Sequence, residues 1–240
     1  LKAIGRVHDG AQARAALEEA ARAFDTFNLD LMYALPGQSL VELDQDLRTA
    51  LSFKPPHLSI YHLTVEPNTV FAKFPPRLPD DDTAWDMLDR ITETTAQVGL
   101  ERYEVSAYAR AGHRCLHNLN YWQFGDYLGI GAGAHGKLSF PHRIVRQVRH
   151  RQPELYMERA LAGDAVAQAH EVARADLPFE FMLNALRLKD GLSLLDSPEK
   201  TPMPPISLGL ALQIASPSRW PAPLVAGFTL TPFGLYSMSD

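Results

Sequence analysis

Three short apolar runs, each preceded by a segment of helical character, constrain this chain more than any other feature. They are FNLDLMYAL (27–35), HLSIYHLTV (57–65) and RYEVSAYA (102–109). Ahead of the first, Asp9 and Gln12 have the spacing of a capping box, and AQARAALEEAARAF follows with apolar residues at Ala16, Leu17, Ala20 and Phe24. Ahead of the second, Ser39 and Glu42 repeat the signal and open a helix to about Phe53. A third helix is expected near 83–98, before the last run. Strands alternating with helices over short connections predict an α/β fold, with a parallel sheet covered by helices. A partial or complete (β/α) barrel and an open doubly wound sheet both satisfy the pattern.

Charge and composition remove several classes of function. The net charge is −5 over 240 residues, so nothing argues for nucleic acid or an anionic membrane surface as a partner. No apolar run reaches the roughly 18–20 residues that cross a bilayer, and no signal-peptide pattern opens the sequence; a cytoplasmic location is expected. Cys115 is the single cysteine, which excludes a disulfide framework and an all-cysteine metal site within the chain. The sequence opens on Leu1 rather than methionine, the expectation for a fragment. From Ser197 onward it carries eight of its 18 prolines and loses periodicity, so a loosely ordered tail with a small hairpin near 228–231 is expected.

Asp30 is a carboxylate embedded in an apolar strand, where burial is costly without a partner. It either contacts a ligand at a strand end, with the PGQ turn beside it, or pairs with a neighbouring element. Thr64 and Glu66 close the second run and are read either as ligand-facing or as a capped turn, while Glu104 and Ser106 share one face of the third. The densest stretch is HNLNYWQFGDYLGIGAGAHG (117–136). His117 can ligate a metal or haem iron, Tyr121 and Trp122 offer flat apolar faces, and Asn118 and Asn120 can orient a ligand. The alternative is a turn histidine beside tightly packed glycines. The glycine spacing fits neither a dinucleotide fingerprint nor a Walker loop.

Seven blocks in order carry a family resemblance: GRVH, FNLDLMYALPGQS, PPHLSIYHLTVEPNT, PDDDTAWDM, YEVSAYA, HNLNYWQFGDYLGIGAGAHG and PFEFMLNALRL. Over residues 1–190 the chain resembles the oxygen-independent coproporphyrinogen III oxidase-like radical SAM family, and within it the haem-chaperone branch, to which the HNxxYW block is particular. The resemblance implies the C-terminal part of a radical SAM (β/α) barrel over 1–140, a small helical C-terminal domain over 141–195 and an aberrant proline-rich tail over 196–240. It implies S-adenosylmethionine contacts at Arg6, Asp30, Thr64 and the backbone near His135. It also implies a haem segment at His117, Asn118, Asn120, Tyr121 and Trp122, with His117 as the iron ligand.

The full-length family carries a 4Fe–4S cluster on a CxxxCxxC motif, which this sequence lacks; the chain is expected to start about midway through the barrel. Three functions follow from the resemblance. The first is binding haem and delivering it to haem-accepting membrane proteins of the respiratory chain, with which a homodimer is compatible. The second is radical decarboxylation of coproporphyrinogen in porphyrin biosynthesis, which one cysteine cannot support because the cluster takes three or four thiolates. The third is an inactive fragment. His117, Tyr121 and Trp122 favour the first.

Overall fold

Both capping boxes form. The Asp9 carboxylate accepts from the Gln12 N–H at 2.8 Å while the Gln12 side chain accepts from the Asp9 N–H at 2.9 Å, starting α1 (Gly10–Ala23). Ser39 and Glu42 exchange the same pair of bonds at the start of α2 (Leu40–Ser52). Between the helices lies β1 (Asn28–Tyr33), and after them come β2 (His57–His62), the short α3 (Val70–Lys73) and α4 (Asp81–Gln97). The computed structural model describes residues 7–67, 69–191, 228–231 and 234–237. The chain divides into two units at Cys115/Leu116.

In the first unit β1 and β2 pair in parallel, with Asp30 opposite Ser59. The third apolar run departs from expectation. It is two short strands, β3 (Glu101–Arg102) and β4 (Ala107–Ala109), folded back on each other, and β4 runs antiparallel to β2. The break is at Glu104, whose carboxylate accepts from the Ser106 N–H at 3.0 Å and stabilises the turn between them. The four-stranded sheet therefore has the order β1-β2-β4-β3 and is mixed rather than all parallel. Its core joins Leu29, Leu58 and Ile60 to Leu43 and Leu47 of α2 and Met87 and Ile91 of α4. By contrast, α1 buries none of its residues.

The second unit holds α5 (Leu116–Trp122), β5 (His135–Phe140), β6 (Arg143–Arg149), α6 (Pro153–Leu161), β7 (Val166–Glu171) and α7 (Leu177–Ala185). Strands β5, β6 and β7 form an antiparallel sheet in that order. The stretch 141–195, expected to be helical, is thus mixed α/β over its described part, because RIVRQVR pairs on both sides. The β5–β6 hairpin turns at 141–142, so the boundary expected after residue 140 falls within a hairpin of the second unit. One face of α7 is buried. Starting at Leu177–Pro178, the helix turns Leu177, Phe181 and Ala185 inward onto Phe124, Ile144 and Val172. In the tail, β8 (Phe228–Thr231) and β9 (Gly234–Ser237) make an antiparallel hairpin. No helix among the described residues is long and apolar enough to cross a membrane.

Candidate functional site

In the first unit, the free edge of β1 faces α1 across a cavity of about 730 Å³. Arg14 and Leu17 of α1, Asn28, Asp30 and Met32 of β1, and Tyr61 of β2 line it. Asp30 is exposed there and accepts from the Asn28 amide at 2.6 Å, the i,i+2 spacing that puts both side chains on one face of a strand. A volume of this size suits a nucleoside-sized molecule.

Asn28 is the outer end of a buried polar relay that the sequence reading missed. Its side-chain carbonyl accepts from His57 Nδ1–H at 2.6 Å and from the Ser59 hydroxyl at 3.0 Å. His57 Nε2 then accepts from the Tyr103 hydroxyl at 2.8 Å, and that hydroxyl accepts from the Cys115 N–H at 3.2 Å. With Nδ1–H given to the Asn28 carbonyl, a neutral His57 leaves Nε2 free to accept, and this is the state that gives the Tyr103 O–H an acceptor within the relay. Burial pushes the His57 imidazole below its ordinary value against the opposing pull of Asp30, and pushes the Tyr103 phenol up to about 12.

Thr64 lies beyond the end of β2, exposed, and donates to Glu66 across a turn at 3.4 Å. Asp30 pairs with Ser59, three residues before the end of β2, so roughly 10 Å of strand separates its row from the strand end. Thr64 does not line the cavity that holds Asp30, and the structure does not bring these two together. Arg6 lies outside the described residues. His135, the first residue of β5, is exposed and belongs to the second unit. The chain's donor set does not fit a 4Fe–4S cluster: Cys115 is its one thiol, and among the described residues no three His, Cys, Asp or Glu gather as a metal site.

The second unit gathers the aromatic block. The His117 ring stands edge-on to Tyr121 at 4.7 Å between centroids, and Tyr121 meets Tyr127 at 4.3 Å. One turn of α5 separates His117 from Tyr121, so helix geometry makes the first contact. His117 is exposed, and Asn118, Asn120, Tyr121 and Trp122 are half-buried. Trp122 lies under the Arg187 guanidinium at 4.2 Å, and its buried indole N–H has no hydrogen-bond partner. Asn120 donates to the Asp126 carbonyl at 2.9 Å and closes the loop after α5. Leu128 and Ile130, just beyond Tyr127, are 71% and 83% exposed, although the loop carrying them is pinned. Arg149 donates to the Gly129 carbonyl at 2.9 Å, and Tyr156 accepts from the Gly131 N–H at 3.0 Å.

Beneath this loop sits Lys137, 2% exposed. Its ammonium donates to the Phe124 carbonyl at 2.9 Å, the Ser139 hydroxyl at 3.0 Å and Asp126 at 3.1 Å. Burial pushes Lys137 down, with Asp126 opposing. Burial also opposes ionisation of Asp126, yet the hydrogen bonds from Ser139 and Lys137 outweigh it and hold the carboxyl below its ordinary value. Phe124 is left-handed at φ 61°, a conformation that costs an L-residue about 1–2 kcal/mol. Sequence gives little warning of a buried lysine, because lysine is almost never fully buried unless it is paired.

Gly129 cannot carry a side chain: a Cβ there would overlap the His135 carbonyl group, which is backbone and cannot step aside. Gly129→Ala is therefore expected to destabilise the second unit by roughly 2 kcal/mol. Urea unfolding checks this, and an unchanged midpoint would mean that the loop relaxes freely.

No family model matches the chain. It is similar to the heme chaperone HemW of Haemophilus influenzae, 47% identical over 194 residues, covering 80% of this chain and 50% of that protein. Against the heme chaperone HemW of Escherichia coli it is 48% identical over 190 residues, covering 78% and 49%. For the Bacillus subtilis heme chaperone HemW the values are 36% over 199 residues, covering 80% and 52%. The chain thus spans about half the length of the curated relatives it matches. In structure it is similar to the coproporphyrinogen III oxidase HemN of Escherichia coli, described as a radical SAM enzyme. That match has a TM-score of 0.68 at 18% identity, over 98% of this chain and 57% of the other. It shows a shared α/β fold.

Proposed function

We propose a haem-handling role for this chain from one premise: it belongs, as a partial-length member, to the HemW/HemN-like radical SAM family. In this reading the second unit receives haem as cargo and passes it to a haem protein. The observation that carries it is the ladder of exposed His117 on half-buried Tyr121 and Tyr127, flanked by solvent-facing Leu128 and Ile130. An exposed imidazole is a ready iron ligand, and aromatic and aliphatic faces suit a porphyrin plane. Asn118, Asn120 and Trp122 complete the proposed haem segment.

The finer parts of the reading belong to the same proposal. The barrel portion covers 1–140, a further domain 141–195 and a tail 196–240. The recipient is a membrane-bound haem protein of the respiratory chain, the location is cytoplasmic, and the assembly is a homodimer. S-adenosylmethionine and a 4Fe–4S cluster belong to the full-length family. On this chain the residues proposed for S-adenosylmethionine are Arg6, Asp30, Thr64 and His135; the cavity supports Asp30, which lines it, and Thr64 and His135 do not line it. No step is derived through the cluster, which these residues do not fit.

Haem titration of the chain, followed at the Soret band, tests the reading. The wild type is expected to shift the band, and His117→Ala to weaken binding about tenfold or more, equivalent to roughly 1.4 kcal/mol. Absence of a shift in the wild type would overturn the proposal.

A further inference from the structure

The ring ladder does not stand on α5 alone. Tyr127 is bonded to Lys137 in both directions along the backbone, N–H to carbonyl at 3.0 and 2.9 Å. Its hydroxyl accepts from Arg146 at 3.0 Å, and Arg146 is paired with Glu180 at 2.6 Å. Phe124, two residues beyond the end of α5, gives its N–H to the Tyr121 carbonyl and its own carbonyl to the Lys137 ammonium, which also lies 4.2 Å from the Phe124 ring centroid. Asp126, next to Tyr127, is bonded by Lys137 and by both the N–H and hydroxyl of Ser139. One buried cation thereby fixes the end of the helix bearing His117 and Tyr121 and the strand-like segment bearing Tyr127.

We infer that Lys137 is the positioning residue of the haem segment: its three bonds, to Phe124, Asp126 and Ser139, set the contact of Tyr127 with Tyr121 and so the presentation of the His117 imidazole. The inference rests on the haem reading for its functional consequence, but its geometry can be read without haem. Lys137 touches no cargo, and it works through the two chain segments that it ties together. A buried charge is a poor source of stability, since an apolar side chain of similar volume often serves the fold as well. Its specific yield is a fixed geometry.

The test uses the full chain with Lys137→Met, Asp126→Asn and, as a control, the core variant Ile91→Val in the first unit. Two quantities are read: the ring-current shift that Tyr121 imposes on the His117 imidazole protons by NMR, and haem affinity from the Soret titration. Lys137→Met is expected to melt cooperatively, lose most of the ring-current shift and bind haem about tenfold more weakly. Asp126→Asn should move both in the same direction by less, because an amide nitrogen cannot accept the Ser139 N–H. Ile91→Val should lower the melting temperature and leave the His117 shift in place. If Lys137→Met does not fold, Asp126→Asn decides by the same two readouts. An unchanged His117 shift in a folded Lys137→Met protein, or in Asp126→Asn where it must decide, overturns the inference. A lost shift in a chain whose wild type binds no haem upholds the positioning and removes the haem reading instead.

Discussion

His57→Leu is expected to destabilise the first unit by about 3 kcal/mol, measured by urea unfolding, although leucine fills much of the same space. His57 is 5% exposed and sits between the Asn28 carbonyl, at the exposed end of the relay, and the hydroxyl of Tyr103, a residue that is 1% exposed and has no water to turn to. Without it the Asn28 carbonyl keeps only the Ser59 hydroxyl, and the Tyr103 hydroxyl keeps its Cys115 donor but has nothing to donate to. Each buried polar group left unpaired costs roughly 1–3 kcal/mol. Tyr103→Phe breaks the relay at the next bond and is expected to cost about 1–2 kcal/mol. The double variant should cost clearly less than the two single costs added, because removing both partners of the His57–Tyr103 bond leaves nothing orphaned between them. Additivity to within about 0.3 kcal/mol would show that the two side chains are independent and that the relay does not exist as a unit.

The relay also marks where sequence reading stops. Local signals were legible: both capping boxes form, because the bonds involved lie within four residues of one another. The strands at 28–33 and 57–62 were legible from their apolar runs, and so was their parallel pairing across α2. The run at 102–109 was misread because alternation of side chains says nothing of chain direction. Glu104 folds the segment back on itself, and only the Ser106 bond reveals it. Asn28, His57 and Tyr103 meet across strands far apart in sequence, so register, not composition, assembles them. Asp30 drew notice as a carboxylate in an apolar run, yet Asn28 two residues earlier is the side chain that ties the strand to its neighbours. In the second unit the aromatic residues announced themselves by density, whereas Lys137 did not, since its burial depends on the Phe124 carbonyl and the Asp126 carboxylate, 13 and 11 residues earlier in the chain.

Acidification is expected to weaken the first unit before the second, starting below about pH 6.5. Burial pushes both His57 and His62 below their ordinary value, against Asp30 and Asp81 respectively. The unfolded chain therefore takes up protons near pH 6.5 that the folded chain still refuses, so stability is full above that pH and is lost as pH falls toward the folded values. The steepest loss is about 1.4 kcal/mol per pH unit for each histidine. Protonated His57 would present a second N–H to Tyr103, whose hydroxyl already receives the Cys115 N–H and would lose its only acceptor. With its phenol pushed up to about 12, Tyr103 cannot respond by ionising. In the second unit the sensitive group is Asp126, held below its ordinary value, so its contribution persists down to about pH 4 and is lost only below that. Residue-resolved amide exchange at pH 7, 5.5 and 4.5 separates the two: protection should fall first in β1, β2 and β4 while β5 and β6 keep theirs. His57→Leu should reduce the slope between about pH 6.5 and 5, since one of the two buried histidines is gone. Equal loss of protection in both units at pH 5.5, or an unaltered slope in that variant, would place the acid sensitivity elsewhere than in the relay.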